Sequence, residues 1–270
     1  MSDRLNLTEH FRALHVPGTP LLIPNPWDVG SARMLQALGF QALATTSGGF
    51  AGSLGHLDGT ATRDQALAHA SQLVDAVDIP ISADLESCFG TDSSGVAETV
   101  RLAAATGLAG CSIEDYDRDR GQMYAVGLAA ERVAAAAEAA HSGPRQLVLT
   151  ARADNGFHGI DDLDDTIARL RAFEAAGADV LYAPMVSRLD DLRRIRDAVS
   201  LPLNVLARPD APTVAELASV GVARISVGSG FFLAAMGELV TAANELLGQG
   251  TYNFLQTAAI ARDVTSRAFS

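Results

Sequence analysis

The sequence predicts an α/β fold of the (β/α)8, or TIM barrel, class. Eight short β-branched or apolar runs alternate with alanine-rich segments of helical periodicity, and each strand-like run precedes its helix. The chain has 270 residues, 48% of them hydrophobic, which is enough for one large core. Because no linker rich in Pro, Gly or Ser divides the chain, we predict a single domain over residues 1–270, with the barrel core at about 20–230.

The predicted strands and helices follow one another along the chain in strict alternation. The strands lie at 21–25, 41–47, 79–86, 110–115, 146–154, 180–185, 202–207 and 223–230. The helices lie at 31–39, 62–77, 96–107, 129–141, 163–178, 188–199, 213–221 and 231–248. Thr62 and Thr213 stand at helix starts, where a hydroxyl caps free N–H groups, and several helices end at glycine. A last helical stretch, 251–269, either packs on its own subunit or makes oligomer contacts.

Composition excludes several classes of function. A net charge of −12 argues against nucleic acid and anionic membranes as partners. Cys88 and Cys111 form no disulfide framework, and we find neither a signal peptide nor an apolar run near 18 residues, so we expect a cytoplasmic protein. All 20 cationic side chains are Arg, and without Lys a Schiff-base aldolase or a pyridoxal-phosphate enzyme is excluded.

Acidic residues collect at the predicted carboxyl ends of the strands. Asp84 and Glu86 end the third strand, Glu114 ends the fourth, and Asp58 lies in the loop after the second. In a barrel these ends meet at one mouth, and residues two apart on a strand share a face. Because ionised carboxylates repel one another, a hard cation would stabilise the group, and Mg²⁺ or Mn²⁺ suits oxygen ligands. For any single residue, helix capping or a solvated loop is the alternative.

The same mouth carries candidate ligand-binding residues. The Ser-Gly-Gly sequence at 47–49 predicts a turn whose N–H groups can approach a carboxylate or enolate oxygen. Arg152 emerges from an otherwise apolar fifth strand and needs an anionic partner, either a substrate carboxylate or Glu114. Asn204 lies on the seventh strand and is predicted to reach the same mouth.

A set of motifs resembles the isocitrate lyase/phosphoenolpyruvate mutase superfamily. They are, in order, NPWDVGSARMLQALGFQALATTSGG, SADLESCFG, GCSIEDY, LTARAD, GADVLYAPM and ISVGSG. The resemblance implies a Mg²⁺-dependent barrel that makes or breaks C–C or P–C bonds next to a 2-oxo acid, through a metal-stabilised, pyruvate-like enolate. It also implies homo-oligomers, usually tetramers, in which the eighth helix is exchanged between barrels, with about 231–270 making the contacts.

Carried over position by position, the resemblance implies roles for individual residues. The substrate-binding residues would be Ser47, Gly48, Gly49, Trp27, Arg152 and Asn204. The metal-site acids would be Asp58, Asp84, Glu86 and Glu114. Glu86 stands where the family has the second acid of an Asp-x-Asp pair, the direct metal ligand. Arg152 would neutralise the substrate carboxylate and the enolate.

The loop at 116–124 departs from the family. In the lyases for isocitrate and methylisocitrate it carries a Cys, and in the mutase it carries a Lys, but here it contains no Cys, Lys or His. Tyr124 and Tyr116 are therefore candidate proton donors, with packing of the loop as the alternative. The predicted catalytic residues are Arg152, Glu114 and Tyr124.

Three functions are compatible with these residues. The first is a Mg²⁺-dependent lyase that cleaves or forms a C–C bond next to a 2-oxo acid, in the manner of an isocitrate or methylisocitrate lyase or an oxaloacetate decarboxylase. The second is P–C bond chemistry on a phosphonate, for which Arg118 and Arg120 would supply cations. The third is a non-catalytic protein that binds a 2-oxo acid. The expected partner is a small 2-oxo or 2-hydroxy carboxylate.

Overall fold

The computed structural model describes residues 2–270, with side chains from residue 7 onward. The strands are β1 (Leu21–Ile23), β2 (Leu43–Ala44), β3 (Ile81–Asp84), β4 (Gly110–Glu114), β5 (Tyr116–Asp117), β6 (Gln122–Met123), β7 (Val148–Arg152), β8 (Val180–Tyr182), β9 (Leu203–Leu206) and β10 (Arg224–Ser226). Eight of them form one parallel sheet in the order β1-β10-β9-β8-β7-β4-β3-β2, and β5 and β6 form a separate antiparallel hairpin. All eight predicted barrel strands are confirmed, and the fold is a (β/α)8 barrel.

Helices surround the sheet. They are α1 (Ser2–Ala13), α2 (Val29–Ala37), α3 (Ser47–Ser53), α4 (Arg63–Ala76), α5 (Ser93–Ala105), α6 (Val126–His141), α7 (Leu163–Ala175), α8 (Leu189–Ala198), α9 (Val214–Ser219), α10 (Gly230–Gln249) and α11 (Leu255–Ala268). Thr62 and Thr213 cap α4 and α9 as predicted, each in a reciprocal capping box with the side chain three residues later. These caps fix where the two helices leave the loops at the mouth.

The barrel closes between β1 and β2 through polar contacts. The Ala44 N–H donates to the Pro24 carbonyl oxygen at 3.1 Å. The side chain of Asn25 donates to the Thr45 carbonyl oxygen at 3.0 Å and accepts from the Val227 N–H at 2.9 Å. One buried asparagine therefore links the ends of β1, β2 and β10 where they meet at the mouth.

The end of the barrel opposite the mouth is sealed by α1, which the sequence analysis did not predict. Phe11 of α1 is fully buried and packs with Ile23, Val148 and Val180 of three strands and with Ala109, which directly precedes β4. Most of α1 is polar, so it lacks the apolar stripe that identifies a helix by periodicity. The cavity at the mouth therefore has a closed floor.

The barrel interior above this seal is polar. Inward positions of a TIM barrel usually carry branched apolar residues. Here the buried inward side chains include Ser82, Ser112, Thr150, Asn204 and Ser226. Buried polar groups need partners, so this interior is built to hold hydrogen bonds or a polar ligand.

Helices α10 and α11 follow the last strand. In α10 only Phe232 is buried, and apolar side chains such as Leu239, Val240 and Leu247 are exposed. Among the described helices, α10 alone has the length and composition to cross a membrane, which by itself is weak evidence of a span. Helix α11 packs on α2 of the same chain. Its part in oligomer contacts stays a prediction.

Candidate active site

A cavity of about 500 Å³ opens at the carboxyl ends of the barrel strands. Five predicted site residues line it: Ser47, Asp58, Asp84, Glu114 and Arg152. Glu86 lies beside it, 5% exposed, and ion-pairs with Arg118, which also lines the cavity. The strand-end acids and the strand arginine are therefore brought together at one mouth, as their positions in the sequence predicted.

Arg152, the last residue of β7, is surrounded by three carboxylates. Its Nε and Nη2 donate to the two oxygens of Asp154 at 3.2 and 2.8 Å, a bidentate pair. Its Nη1 donates to Asp84 Oδ1 at 3.1 Å, and Nη2 lies 3.3 Å from Glu114 Oε2. Burial alone would lower the pKa of Arg152, but these carboxylates raise it well above its usual value. The side chain is a fixed cation.

A second arginine enters the acidic cluster from the β5–β6 hairpin. Arg118 Nε lies 3.1 Å from Glu86 Oε2 and 3.3 Å from Glu114 Oε1. Its guanidinium lies against Gly59, at a place that a side chain there would fill. Burial raises the pKa of Glu86 and of Glu114 to about 7, although Arg118 opposes the rise for Glu86 and Arg152 opposes it for Glu114. Burial therefore outweighs the nearby arginines, and both glutamates hold a proton more readily than an exposed glutamate does.

The turn after β3 explains how a glutamate reaches this cluster. Glu86, Cys88 and Phe89 have left-handed backbone φ angles of 52, 60 and 53°, which cost about 1 kcal/mol or more each for residues other than glycine. Buried Arg132 offsets part of this cost by donating to the carbonyl oxygens of Ser87 and Gly90, at 2.8 and 2.9 Å. Because the backbone turns away at residue 86, the longer Glu side chain reaches the position where it meets Arg118.

Comparison with known proteins identifies the family. A family model described as phosphoenolpyruvate phosphomutase matches residues 11–247. This chain belongs to the phosphoenolpyruvate phosphomutase family. The predicted resemblance is confirmed, and the family includes lyases as well as mutases.

Individual relatives of this phosphomutase-family chain are similar over most of its length. A crystal structure from Burkholderia cenocepacia J2315, described as a lyase/mutase, is 46% identical with a TM-score of 0.94 and covers 100% of this chain and 98% of its own. An uncharacterized protein from Mycobacterium tuberculosis (strain CDC 1551 / Oshkosh) is 34% identical over 81% of each chain. The 2-methylisocitrate lyase of Escherichia coli (strain K12) is 31% identical over 72% of this chain and 67% of its own.

The Ser-Gly-Gly segment is not an open turn. It forms the first turn of α3, because the Thr46 side chain accepts from the Gly49 N–H at 3.3 Å and caps the helix. A Cβ on Gly48 would lie 2.6 Å from Ser229 Oγ, so a side chain there would force Ser229, in the loop after β10, to move. Of the three residues, only Ser47 lines the cavity, and its N–H donates to Asp84 Oδ2 at 3.4 Å.

Three other predicted residues lie outside the cavity lining. The Trp27 ring packs edge-on against Phe232, 5.6 Å between centroids, behind α3. Asn204 is fully buried beneath the lining, and the ring of Tyr124 lies under the Arg132 guanidinium at 4.5 Å. Tyr124 is thus placed as a packing residue of the loop, which was the alternative to its predicted role as a proton donor.

Tyr116, a candidate proton donor in the sequence, lines the cavity together with His158 and Arg224, which were not predicted. Tyr116 stacks on His158 with 3.3 Å between ring centroids, and burial, followed by Arg118 and Arg152, lowers the pKa of His158. His158 belongs to a short 3-10 helix, Asn155–His158, which is too short to be predicted from hydrophobic periodicity. Arg224 lines the cavity from the start of β10. An arginine in an apolar strand was the signal that identified Arg152, and the same signal would have identified Arg224.

The donor set at the mouth fits a hard divalent cation in its chemistry. Asp58, Asp84, Glu86 and Glu114 offer only carboxylate oxygens, the ligands that Mg²⁺ and Mn²⁺ prefer. Among the described residues, however, no three acidic, His or Cys side chains stand ready as a metal cluster. Instead, the acids are paired with arginines: Arg118 Nε contacts both Glu86 and Glu114. Arg152 contacts both Asp84 and Glu114. A cation would therefore bind after Arg118 withdraws.

Proposed function

We propose that this protein is a divalent-metal-dependent lyase that cleaves or forms a C–C bond next to the carbonyl of a 2-oxo acid. The observation that supports this most is Arg152, a buried cation fixed among Asp84, Glu114 and Asp154 at the mouth of the barrel. In such a reaction negative charge develops on an enolate, and preorganised cationic groups stabilise it in a site that excludes water. The identity with 2-methylisocitrate lyase favours the same class.

The residues at the mouth divide the work between them. Asp58, Asp84, Glu86 and Glu114 would hold Mg²⁺, which supplies a Lewis acid that polarises the 2-oxo group. With Asp84 and Glu114 engaged as metal ligands, Arg152 would stay paired with Asp154 and would donate its remaining N–H groups to the substrate carboxylate and the developing enolate. Tyr116 lines the cavity whereas Tyr124 does not, so Tyr116 is the stronger candidate of the two tyrosines of the 116–124 loop for moving the proton.

A substrate panel tests this function. Purified protein with Mg²⁺ is assayed against oxaloacetate, isocitrate, methylisocitrate and substituted malates, with Tyr116→Phe and Glu86→Gln alongside. We expect turnover of at least one 2-oxo or 2-hydroxy acid, which Glu86→Gln abolishes and EDTA removes. Binding of a 2-oxo acid without turnover of any compound would favour a non-catalytic binding protein instead.

Phosphonate chemistry is the second candidate, because Arg118 lines the cavity. A dianionic phosphonyl group needs more cations than a carboxylate does. Arg118 could supply one, whereas Arg120 lies on the exposed outer side of the hairpin and ion-pairs with Asp117. Phosphonopyruvate is therefore included in the panel, and its turnover in place of the C–C substrates would select this reaction.

We also propose that α10 packs on a second copy of the chain. Helix α10 has twenty residues, and only one of their side chains is buried, so the barrel of the same chain leaves most of this helix uncovered. On the outer face of β1, Leu22 is 42% exposed, whereas its partner Ile225 on β10 is buried. Leu239→Glu is expected to lower the mass measured by light scattering, while Glu238→Gln on the same helix leaves it unchanged. An unchanged mass for Leu239→Glu would contradict the proposal.

A further inference from the structure

Arg224 is a buried cation whose nearest partners are neutral. Its side chain is 4% exposed and lines the floor of the cavity. Nε donates to Asn204 Oδ1 at 3.0 Å, Nη1 donates to Thr150 Oγ1 at 3.0 Å, and Nη1 lies 3.5 Å from His15 Nε2. Burial lowers the pKa of Arg224 to about 10, so the guanidinium remains charged at neutral pH.

An unpaired buried charge is unusual because its desolvation is costly. Within the described residues, the buried Arg152 and Arg169 each ion-pair with a carboxylate, but Arg224 forms no such pair. Buried Arg132 also lacks one, yet it binds two backbone carbonyl oxygens and does not line the cavity. Arg224 thus combines an unmatched positive charge with access to the ligand space.

The register of the strands connects this floor to the mouth. Glu114, Arg152, Tyr182, Asn204 and Arg224 are neighbours across five adjacent strands. Because barrel strands are tilted, such a row descends through the interior. The Arg152 Cζ lies 5.5 Å from the Tyr182 ring centroid, and Asn204 hydrogen-bonds Arg224. A polar path therefore runs from one cation to the other.

The strand β7 shows how far apart along the barrel the Arg152 and Arg224 guanidinium groups lie. The Arg224 Nη1 contacts Thr150, which lies two residues before Arg152 on the same face of that strand. Two residues of a strand span about 6–7 Å. A single short molecule can occupy both levels of the cavity.

We propose that Arg224 forms a second anion-binding site, at the floor of the cavity, which receives one carboxylate of a dicarboxylate whose other end lies at the mouth. This deepens the proposed function, on which it rests, by naming the group that binds at the far end of the substrate. The site consists of the Arg224 guanidinium, with the Ser226 hydroxyl and Tyr182 beside it in the lining.

Matched pairs of ligands test the site directly. Malonate, succinate and glutarate are titrated by calorimetry against their monoamides, malonamate, succinamate and glutaramate, which have nearly the same shape and one charge less. A charge-assisted bond to a buried guanidinium predicts that at least one dicarboxylate binds about 10- to 100-fold tighter than its monoamide. If no length shows a preference above threefold in the wild type, the proposal is overturned.

Two variants assign the preference to the floor. Arg224→Gln removes the cation, and Asn204→Asp gives Arg224 a permanent internal carboxylate while conserving shape. Both are expected to reduce the preference below threefold, and Asn204→Asp is expected to raise the melting temperature because it pairs a buried charge. Arg120→Gln, on the exposed hairpin, should keep the preference. If Arg224→Gln fails to fold, Asn204→Asp decides alone, and a preference that survives in it overturns the proposal.

Two further titrations distinguish the floor site from a chloride site and from the metal site. Chloride is titrated from low to high concentration with melting temperature as the readout. Stabilisation by chloride that depends on Arg224, without any dicarboxylate preference, would mean a resident inorganic anion and would overturn the proposal. The dicarboxylate titrations are run with Mg²⁺ and again with EDTA. Absence of metal binding or of turnover would contradict the proposed function. The floor site is contradicted by a different result, the absence of the dicarboxylate preference.

Discussion

The mouth and the floor of the cavity hold opposite charges in opposite ways. At the mouth, four strand-end or loop carboxylates and Asp154 outnumber the arginines that they contact, Arg152 and Arg118. At the floor, Arg224 has only neutral partners. An excess of negative charge calls for a cation and an excess of positive charge calls for an anion. The contrast indicates that one cavity can bind a cation at its mouth and an anion at its floor.

The largest effect is expected from neutralising the cation at the mouth. Arg152→Gln keeps a hydrogen-bonding group but removes the ion pairs with Asp84, Glu114 and Asp154 and the charge that would stabilise an enolate. We expect kcat/KM on the substrate found in the panel to fall by about 10³-fold. Steady-state kinetics measure this, with Arg120→Gln as the matched control. A loss smaller than tenfold would show that Arg152 serves only to hold the acids apart.

The floor should be visible in the pH dependence of stability, through His15. Burial, then Arg224, lowers the pKa of His15 to about 3, against opposing backbone hydrogen bonds and Asp179. In the unfolded chain His15 binds a proton as the pH falls below about 6.5, whereas in the folded chain it stays neutral. The free energy of unfolding therefore keeps its full value above that pH and decreases as the pH drops. At pH 5 the loss amounts to about 2 kcal/mol.

Urea unfolding at pH 7 and pH 5 measures this loss. The wild type is expected to lose about 2 kcal/mol more than His15→Gln between the two pH values. His56→Gln, in an exposed loop, serves as the control and should follow the wild type. Equal losses in the wild type and in His15→Gln would mean that the floor accepts a proton, and the floor would then differ less from the mouth in its charge.

The smallest effect is expected from replacing Arg118, the arginine that contacts the proposed metal-site acids. Arg118 must leave Glu86 and Glu114 before a cation binds between them, so Arg118→Gln should bind Mn²⁺ about 3- to 10-fold tighter. Electron paramagnetic resonance of free Mn²⁺ gives the affinity without any turnover, and Arg120→Gln is again the control. Unchanged or weaker binding would place the cation elsewhere at the mouth.

The sequence predicted the mouth better than the floor, for physical reasons. Charged residues at strand ends can be predicted to lie together because the carboxyl ends of barrel strands meet at one mouth. Asp84, Glu114 and Arg152 were therefore placed together correctly. The helix at Ser47 was missed because its cap, Thr46, lay inside the predicted strand. Arg224 carries the same signal as Arg152, an arginine in an apolar strand, but it begins its strand, and the rule that barrel sites lie at the carboxyl ends of strands does not point to it. Which arginine faces which acid depends on tertiary packing that periodicity does not encode.

The seal formed by α1 has a kinetic consequence. With Phe11 packed beneath the strands, α1 covers the end of the barrel opposite the mouth, which leaves the mouth as the way in and out of the cavity. In the proposed cleavage, two fragments inside the cavity could not pass each other, so the one nearer the mouth would depart first. We expect ordered release, in which the fragment bound by Arg224 leaves last. Product-inhibition patterns would test the order: the fragment that leaves last should compete with the substrate, and competition by the other fragment instead would contradict it.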